Sequence, residues 1–245
     1  SQLLPVMFWI HGGGNTSGLK DIYNFSTMVH RHDVIVVSIN YRLGAFGWFN
    51  HPAIQDNNEG IDKTSNFGTL DIIEALKWVN HNIEYFGGNP DNITIFGESA
   101  GGHNVLSLLV SPQANGLFHK AISQSGYTTS VSQDHAYVTT KDDPTFDHTS
   151  KEVVKRLISN ATSMSSIELN KELYALKTKE FFSDYSDKSN LELPLLNNDG
   201  IVIPLIGLEK ALNDPKHVKN IPFMAGSNRD EVKLWIAAAE YFVKL

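Results

Sequence analysis

The chain has 245 residues, of which 41% are hydrophobic and 19% charged, and its formal net charge is −7. This is an ordinary soluble globular composition, and a negative charge without a basic cluster argues against nucleic-acid binding. The longest strongly apolar stretch, residues 3–10, is too short to cross a bilayer, and the lack of cysteine excludes disulfides and thiolate chemistry. The composition does not indicate the cellular compartment.

Short apolar segments alternate with helical patterns along the chain. The strand candidates are residues 6–10, 34–39, 93–96, 121–123 and 221–225. They show little polar alternation, which is typical of strands covered on both faces. Residues 66–83 repeat apolar side chains every three or four positions, as a helix does, and Gly87-Gly88-Asn89-Pro90 closes that segment. The alternation predicts an α/β fold with a mostly parallel central sheet and flanking crossover helices.

A helical stretch interrupts this alternation in the second half of the chain. From Lys151 to Glu180 the pattern is amphipathic and helical, and no strand is predicted until after position 190. Residues 183–190 are polar and resemble a loop. We therefore predict a helical excursion or cap at about 130–200, within a single domain that covers residues 1–245.

The first strand candidate leads directly into a run of glycines, His11-Gly12-Gly13-Gly14. Three glycines allow the backbone to turn with its N–H groups uncovered, as the oxyanion of an acyl-transfer reaction requires. The alternative is a glycine-rich loop that only turns a corner. The serine motif further along the chain argues against that alternative.

The serine motif is Gly97-Glu98-Ser99-Ala100-Gly101, which lies between a β-branched run and an apolar run at 105–110. Small residues at 97 and 101 are needed for a sharp strand-to-helix turn, because a Cβ there would meet the neighbouring element. Such a turn places the Ser99 hydroxyl above the sheet edge, at a helix N-terminus that favours developing negative charge. The pattern indicates a serine nucleophile.

These motifs, in this order, resemble the type-B carboxylesterases, the cholinesterase-like branch of the α/β-hydrolases. The matching segments are residues 11–14, 40–47, 86–101, 117–126, 199–200 with 203–204, and 226–231. They cover nearly the whole chain except about 127–190. An esterase of the hormone-sensitive-lipase type is the alternative, but that branch usually carries Asp where this chain has Glu98.

The resemblance implies a role for each matching position. Ser99 would be the acyl-forming nucleophile, and the N–H groups of Gly13, Gly14 and Ala100 would hold the oxyanion. Glu231 would be the acid of the catalytic triad; without the resemblance it reads as a solvated carboxylate at a helix start. The implied partner is a small carboxylic ester, and no cofactor is implied. Oligomeric state is not indicated.

The general base that such a serine needs is not evident. The family's catalytic histidine lies well beyond the acid, whereas no histidine follows His217 here. The resemblance therefore implies an internal portion of a longer esterase, with a fold incomplete at both ends and inactive alone. His103 lies one helical turn after Ser99, but the turn directs the serine away from the helix. No histidine pair has metal-ligand spacing with a supporting carboxylate, so we predict no metal.

Two further residues allow alternative interpretations. By resemblance Glu98 is a carboxylate lining the substrate gorge; alternatively it belongs to a buried ion pair, for example with Arg42. Ser125 is a hydroxyl near the triad by resemblance, but we favour a strand-end serine that bonds its own turn. The rival function is a non-catalytic binding or adhesion protein of the same fold; retention of serine, glycines and acid argues against it.

Overall fold

A parallel sheet of five strands forms the centre of the computed structural model, which describes residues 2–138, 149–185, 196–231 and 233. The strands are β1 (Leu4–Ile10), β2 (Ile35–Ser38), β3 (Gly88–Glu98), β4 (Lys120–Gln124), β5 (Val131–Ser132), β6 (Asn197–Asn198) and β7 (Phe223–Gly226). The central sheet has the order β2-β1-β3-β4-β7, while β5 and β6 pair separately. All neighbouring strands in the central sheet are parallel, which confirms the predicted sheet type.

The predicted strand segments all coincide with strands of this sheet, but β3 is longer than predicted. It begins at Gly88 rather than Ile93, and its pairing with β1 shifts register between Leu4 and Val6. A Cβ at Gly88 would lie 2.6 Å from the Ile83 side chain and 2.9 Å from that of Val6. Glycine therefore allows the early part of β3 to lie close against its neighbours.

The helices of the described residues flank this sheet. They are α1 (Ser26–Arg31), α2 (Ala45–Trp48), α3 (Pro52–Gln55), α4 (Phe67–Asn82), α5 (Ala100–Val110), α6 (Gln133–Tyr137), α7 (Ser150–Leu157), α8 (Ser166–Ala175), α9 (Thr178–Ser183) and α10 (Leu208–Leu212). Short 3₁₀ helices span Lys20–Ile22, Gly60–Lys63, Ile83–Phe86, Pro112–Ala114 and Ala161–Ser163. Within the described ranges, no helix is both long and apolar enough to cross a membrane.

The main core lies between the sheet and the helices α4 and α5. The bounds of α4, Phe67–Asn82, agree closely with the predicted range 66–83. Its apolar positions Ile72, Leu76 and Val79 are buried. All eleven residues of α5 are buried. A helix buried on every side is held rigidly by close packing, which matters because α5 follows Ser99.

The predicted helical excursion is divided into several short elements. The stretch predicted as helical from 151 to 180 contains α7, α8 and α9, and α8 begins with a capping box between Ser165 and Glu168. The described residues from 151 to 185 contain no strand. The sequence did not predict β5 at 131–132, which precedes this helical stretch and pairs with β6. A smaller apolar cluster includes Val153 of α7, Leu169 of α8 and Phe49. Of the loop predicted at 183–190, residues 186–190 lie outside the described residues. The domain boundaries stay a prediction.

A buried polar network joins the segment after β6 to the loop before α4. Oδ1 of Asp199 accepts the backbone N–H groups of residues 201–203 at 2.9–3.0 Å. Its other oxygen, Oδ2, accepts from the Thr64 hydroxyl and from the Asn66 amide. Each of these donors is buried or partly buried, so the carboxylate satisfies groups that water does not reach freely.

Candidate active site

Ser99 lies at the sharp turn between β3 and α5. Its backbone angles are φ 56° and ψ −121°, a conformation that residues with a side chain adopt only under strain. A Cβ at Gly101 would lie 2.1 Å from the Ile10 carbonyl oxygen, and one at Gly97 would lie 2.5 Å from the backbone of Gly101. The predicted need for small residues at both positions is confirmed. The turn leaves Ser99 partly exposed.

The glycine loop lies directly against this turn. A Cβ at Gly12 would lie 2.6 Å from the carbonyl oxygen of Glu98 and 3.2 Å from the Cβ of Ser99. Gly13 and Gly14 both have positive φ, at 106° and 65°. Glycine is therefore required here for close approach as well as for the turn itself.

Three backbone amides around Ser99 are uncommitted. The N–H groups of Gly13, Gly14 and Ala100 donate to no acceptor within the described residues. For Ala100 this follows from its place at the start of α5, since the first amides of a helix lack an intrahelical partner. Gly13 and Gly14 are exposed. These amides are free to bind a ligand oxygen.

Side chains behind the glycine loop hold its backbone. The Tyr41 hydroxyl donates to the carbonyl oxygen of His11 at 2.6 Å, and the two rings stack with centroids 4.5 Å apart. At the other end of the loop, Asn104 of α5 donates to the side chain of Asn15 at 2.8 Å. No sequence motif predicted a role for Asn15 or Asn104; the only signal was a polar amide side chain within the apolar run of α5.

The predicted acid, Glu231, is held by two hydrogen bonds. Its Oε2 accepts from the Ser125 hydroxyl at 2.9 Å and from the backbone N–H of Asn228 at 2.8 Å. The bond from Asn228, followed by that from Ser125, lowers the pKa of Glu231 below its ordinary value, so the side chain stays a carboxylate. The favoured interpretation of Ser125 as a serine that bonds its own turn is therefore wrong.

Of the two interpretations of Glu98, the structure excludes one. The ion pair with Arg42 is wrong, because Arg42 makes two bonds of 2.8 Å to the carboxylate of Asp71. Within the described residues Glu98 has no cationic partner. Burial, together with repulsion from Glu231, raises the pKa of Glu98 above its ordinary value. The two carboxylates are therefore near enough to interact.

A cavity of about 410 Å³ opens at the carboxyl ends of β4 and β7. Its lining includes Glu98, and also Ser125 and Asn228, the two residues that donate to the Glu231 carboxylate. Ser99 is not part of this lining. The carboxyl ends of parallel strands are where open α/β sheets place their ligand sites.

The histidines of the described residues do not complete a triad. None is hydrogen-bonded to Ser99 or Glu231. His103 is fully buried, and burial lowers its pKa to about 4; its Nε2 lies 2.8 Å from the Thr129 carbonyl oxygen, and its ring packs against Tyr127. His103 is thus a packing residue, as its place after the turn predicts.

The sheet order, the strained serine turn and the adjoining glycine loop define an α/β-hydrolase fold. Solved esterase structures with this fold superpose on the chain. One is a carboxylesterase of Geobacillus stearothermophilus, with a TM-score of 0.78 and 30% identity over 100% of this chain and 49% of that one. Another is a PNB esterase, with a TM-score of 0.76 and 32% identity over 98% of this chain and 46% of the other.

Residues 1–242 match the Carboxylesterase family, and the chain belongs to that family. It is 37% identical to carboxylesterase 1D of Rattus norvegicus over 93% of this chain and 39% of the relative. Over 50% of this chain and 21% of the relative, it is 51% identical to the cocaine esterase of Homo sapiens. The chain thus spans less than half the length of the curated relatives it matches.

Proposed function

We propose that the protein hydrolyses carboxylic esters through an acyl-enzyme on Ser99. The observation that carries this proposal is the strained backbone of Ser99, which presents the serine at a turn in contact with the glycine loop. A serine held in this way is the nucleophile of the α/β-hydrolase fold. Membership of the Carboxylesterase family supports the same reaction.

In the first half of the reaction, Ser99 Oγ attacks the ester carbonyl carbon as a general base takes its proton. The carbonyl oxygen becomes an oxyanion, which the amides of Gly13, Gly14 and Ala100 bind. Each such donor contributes about 10²–10³ in rate. The carbon–oxygen bond to the alcohol then breaks, and the alcohol leaves with the proton that the base returns.

In the second half, water replaces the alcohol. The base removes a proton from water, the resulting hydroxide attacks the acyl carbon, and the acid product leaves as Ser99 regains its proton. Glu231 orients and stabilises the base, which its depressed pKa suits because a carboxylate is required. By family resemblance the base is a histidine beyond Glu231.

The substrate class is a small carboxylic ester. Relatives are named para-nitrobenzyl esterase, from Bacillus subtilis, and cocaine esterase, from Homo sapiens, and both names denote ester cleavage. The uncommitted amides around Ser99 suit a carbonyl oxygen that gains charge. The proposed substrate is a small carboxylic ester, with no particular acyl or alcohol group specified.

The test is labelling of the native full-length protein with a fluorophosphonate, followed by peptide mapping. We expect the label on Ser99, no label in Ser99→Ala, and full labelling in Ser107→Ala. Ser107 is a suitable control because, within the part of the chain that the structure describes, its hydroxyl donates only to the Asn104 carbonyl oxygen of the same helix. Labelling at another residue, or none in folded protein, would contradict the mechanism.

A second measurement tests the role of a distal base. Hydrolysis of p-nitrophenyl butyrate by the 245-residue chain alone is compared with that of its Ser99→Ala variant. We expect no Ser99-dependent turnover, since loss of one triad member costs up to about 10⁶ in kcat. Turnover that disappears in Ser99→Ala would show that a histidine within the chain is the base.

A further inference from the structure

Asn104 connects the helix behind Ser99 to the end of the glycine loop. It lies on α5, is fully buried, and donates from Nδ2 to Oδ1 of Asn15 at 2.8 Å. Asn15 directly follows Gly14 and is itself buried, with φ 60°. Its backbone carbonyl accepts from the Gly44 N–H at 2.7 Å, so the residue is fixed from two directions.

The start of the same loop is held by Tyr41. Burial raises the pKa of the Tyr41 hydroxyl above its ordinary value, and interaction with the Asn104 side chain partly opposes that effect. The hydroxyl therefore stays protonated and donates to the carbonyl oxygen of His11 at 2.6 Å. The segment from His11 to Asn15 is thus held at both ends, by Tyr41 at its start and by Asn104 at its end.

The amide of Asn104 is only partly satisfied. Its Oδ1 is buried and has no partner within the described residues. An unpaired buried oxygen costs stability, and an apolar side chain of similar shape would avoid that cost at this helix position. Helix packing alone therefore does not account for asparagine here, whereas the bond to Asn15 does.

We propose that Asn104 and Asn15 are positioning residues that hold the amides of Gly13 and Gly14 in register with Ser99. This inference rests on the proposed ester hydrolysis. Oxyanion donors act strongly only when their geometry is fixed before the reaction, because the protein then need not reorganise as charge develops. The bond between the two side chains fixes the glycine loop to the same helix that follows the nucleophile.

Two variants remove this bond in different ways. Asn104→Leu removes the donor and keeps a buried side chain of similar size. Asn15→Gly removes the acceptor and suits the positive φ, so the backbone bond from Gly44 is retained. The double variant removes both ends, and Ser107→Ala is the matched change on the same buried helix.

The assays use the native full-length protein, with active sites titrated by fluorophosphonate. An alkyl trifluoromethyl ketone is the probe, because it adds to the serine and places an oxyanion where the reaction does. We expect each single variant to lower kcat/KM for p-nitrophenyl butyrate by about 10- to 100-fold, as misplacement near the chemistry does. Affinity for the ketone should fall by the same factor, while KM changes little.

The double variant should be no worse than the more impaired single variant, because one bond is lost in each case. The inference would be overturned if the loss of kcat/KM in the double variant equalled the product of the two single-variant losses. Unchanged ketone affinity in either single variant would also overturn it. A purely structural role would lower thermal stability and the titratable fraction without changing ketone affinity per active site. Wild-type protein that neither hydrolyses the ester nor binds the ketone would instead refute the proposed function itself.

Discussion

The Ser125 hydroxyl donates to Oε2 of Glu231 at 2.9 Å, although 106 positions separate the two residues in the chain. The pairing of β4 with β7 brings them together, because Gln124 lies opposite Gly226 in register. The carboxylate follows β7 and the serine follows β4, so both lie at the carboxyl ends of adjacent parallel strands. The strand order thus brings together two residues that are far apart in the sequence, and their side chains form a hydrogen bond.

Ser125→Ala should move the acid side of the activity profile to higher pH. The bonds donated by Ser125 and Asn228 favour the carboxylate form, so removal of one raises the pKa of Glu231. If an ionised Glu231 is required, activity is then lost at a higher pH as the solution is acidified. The measurement is kcat/KM between about pH 4 and about pH 8, a range that includes the ordinary glutamate and histidine pKa values.

The control for this prediction is Ser123→Ala on β4, the strand that Ser125 follows. Ser123 is buried and donates to the Gly102 carbonyl oxygen rather than to a carboxylate. We expect this variant to lose some stability and to keep the wild-type pH profile. Superimposable profiles for Ser125→Ala and wild type would contradict the assigned role of the hydroxyl.

Glu98→Gln should stabilise the fold at neutral pH and not at acid pH. The folded-state pKa of Glu98 is raised above 4.5, so folding favours the protonated form. The contribution of Glu98 to the free energy of unfolding is therefore greatest below about pH 4.5, and it is lost as the pH rises through the higher folded-state pKa. Thermal unfolding of both proteins at about pH 4 and about pH 7 tests this. An equal gain at both values would show that ionisation of Glu98 is not responsible.

Gly101→Ala should disrupt the contact between the serine turn and β1. The new Cβ would lie 2.1 Å from the Ile10 carbonyl oxygen, which is backbone and yields only if the strand moves. We expect a loss of about 3 kcal/mol or more in the free energy of unfolding, at the upper end of overpacking costs. Gly226→Ala is the control, since its Cβ would meet nothing within 4 Å. Equal urea midpoints for the two variants would contradict this account.

Replacement of Asp199 should show that its network is structural. Asp199→Ala leaves the N–H groups of residues 201–203 and the Thr64 hydroxyl without their acceptor, which we expect to cost about 3–5 kcal/mol. Asp199→Asn keeps one acceptor oxygen and should cost about half as much. Chemical unfolding measures both losses. A greater loss in Asp199→Asn than in Asp199→Ala would refute the assignment of acceptors.

Much of the fold and the position of Ser99 could be predicted from the sequence, because the relevant signals are local. Gly97 and Gly101 meet steric limits within a few residues of the turn, and the strands are short apolar runs. The division of the helical stretch was also readable in principle, since Ser165 and Glu168 have the spacing of a capping box.

The side-chain partners could not be predicted, because they depend on how distant elements pack. Arg42 forms its ion pair with Asp71 on α4 and not with Glu98. The position of α4 relative to Arg42, and not charge alone, determines which carboxylate is the partner. Ser125 finds Glu231 only through the pairing of β4 with β7, and Asn104 finds Asn15 only because α5 packs beneath the glycine loop. Sequence spacing carries no information on such contacts.

The strained turn at Ser99 lowers the conformational stability of the protein while presenting the side chain that is proposed to react. The backbone of Ser99 has angles that glycine adopts readily, and a residue held in such a region costs about 1–3 kcal/mol. A glycine in place of Ser99 would therefore give a more heat-tolerant fold that lacks the proposed nucleophile. The residue proposed to carry the chemistry therefore also weakens the fold against unfolding, and selection for stability alone would favour its replacement.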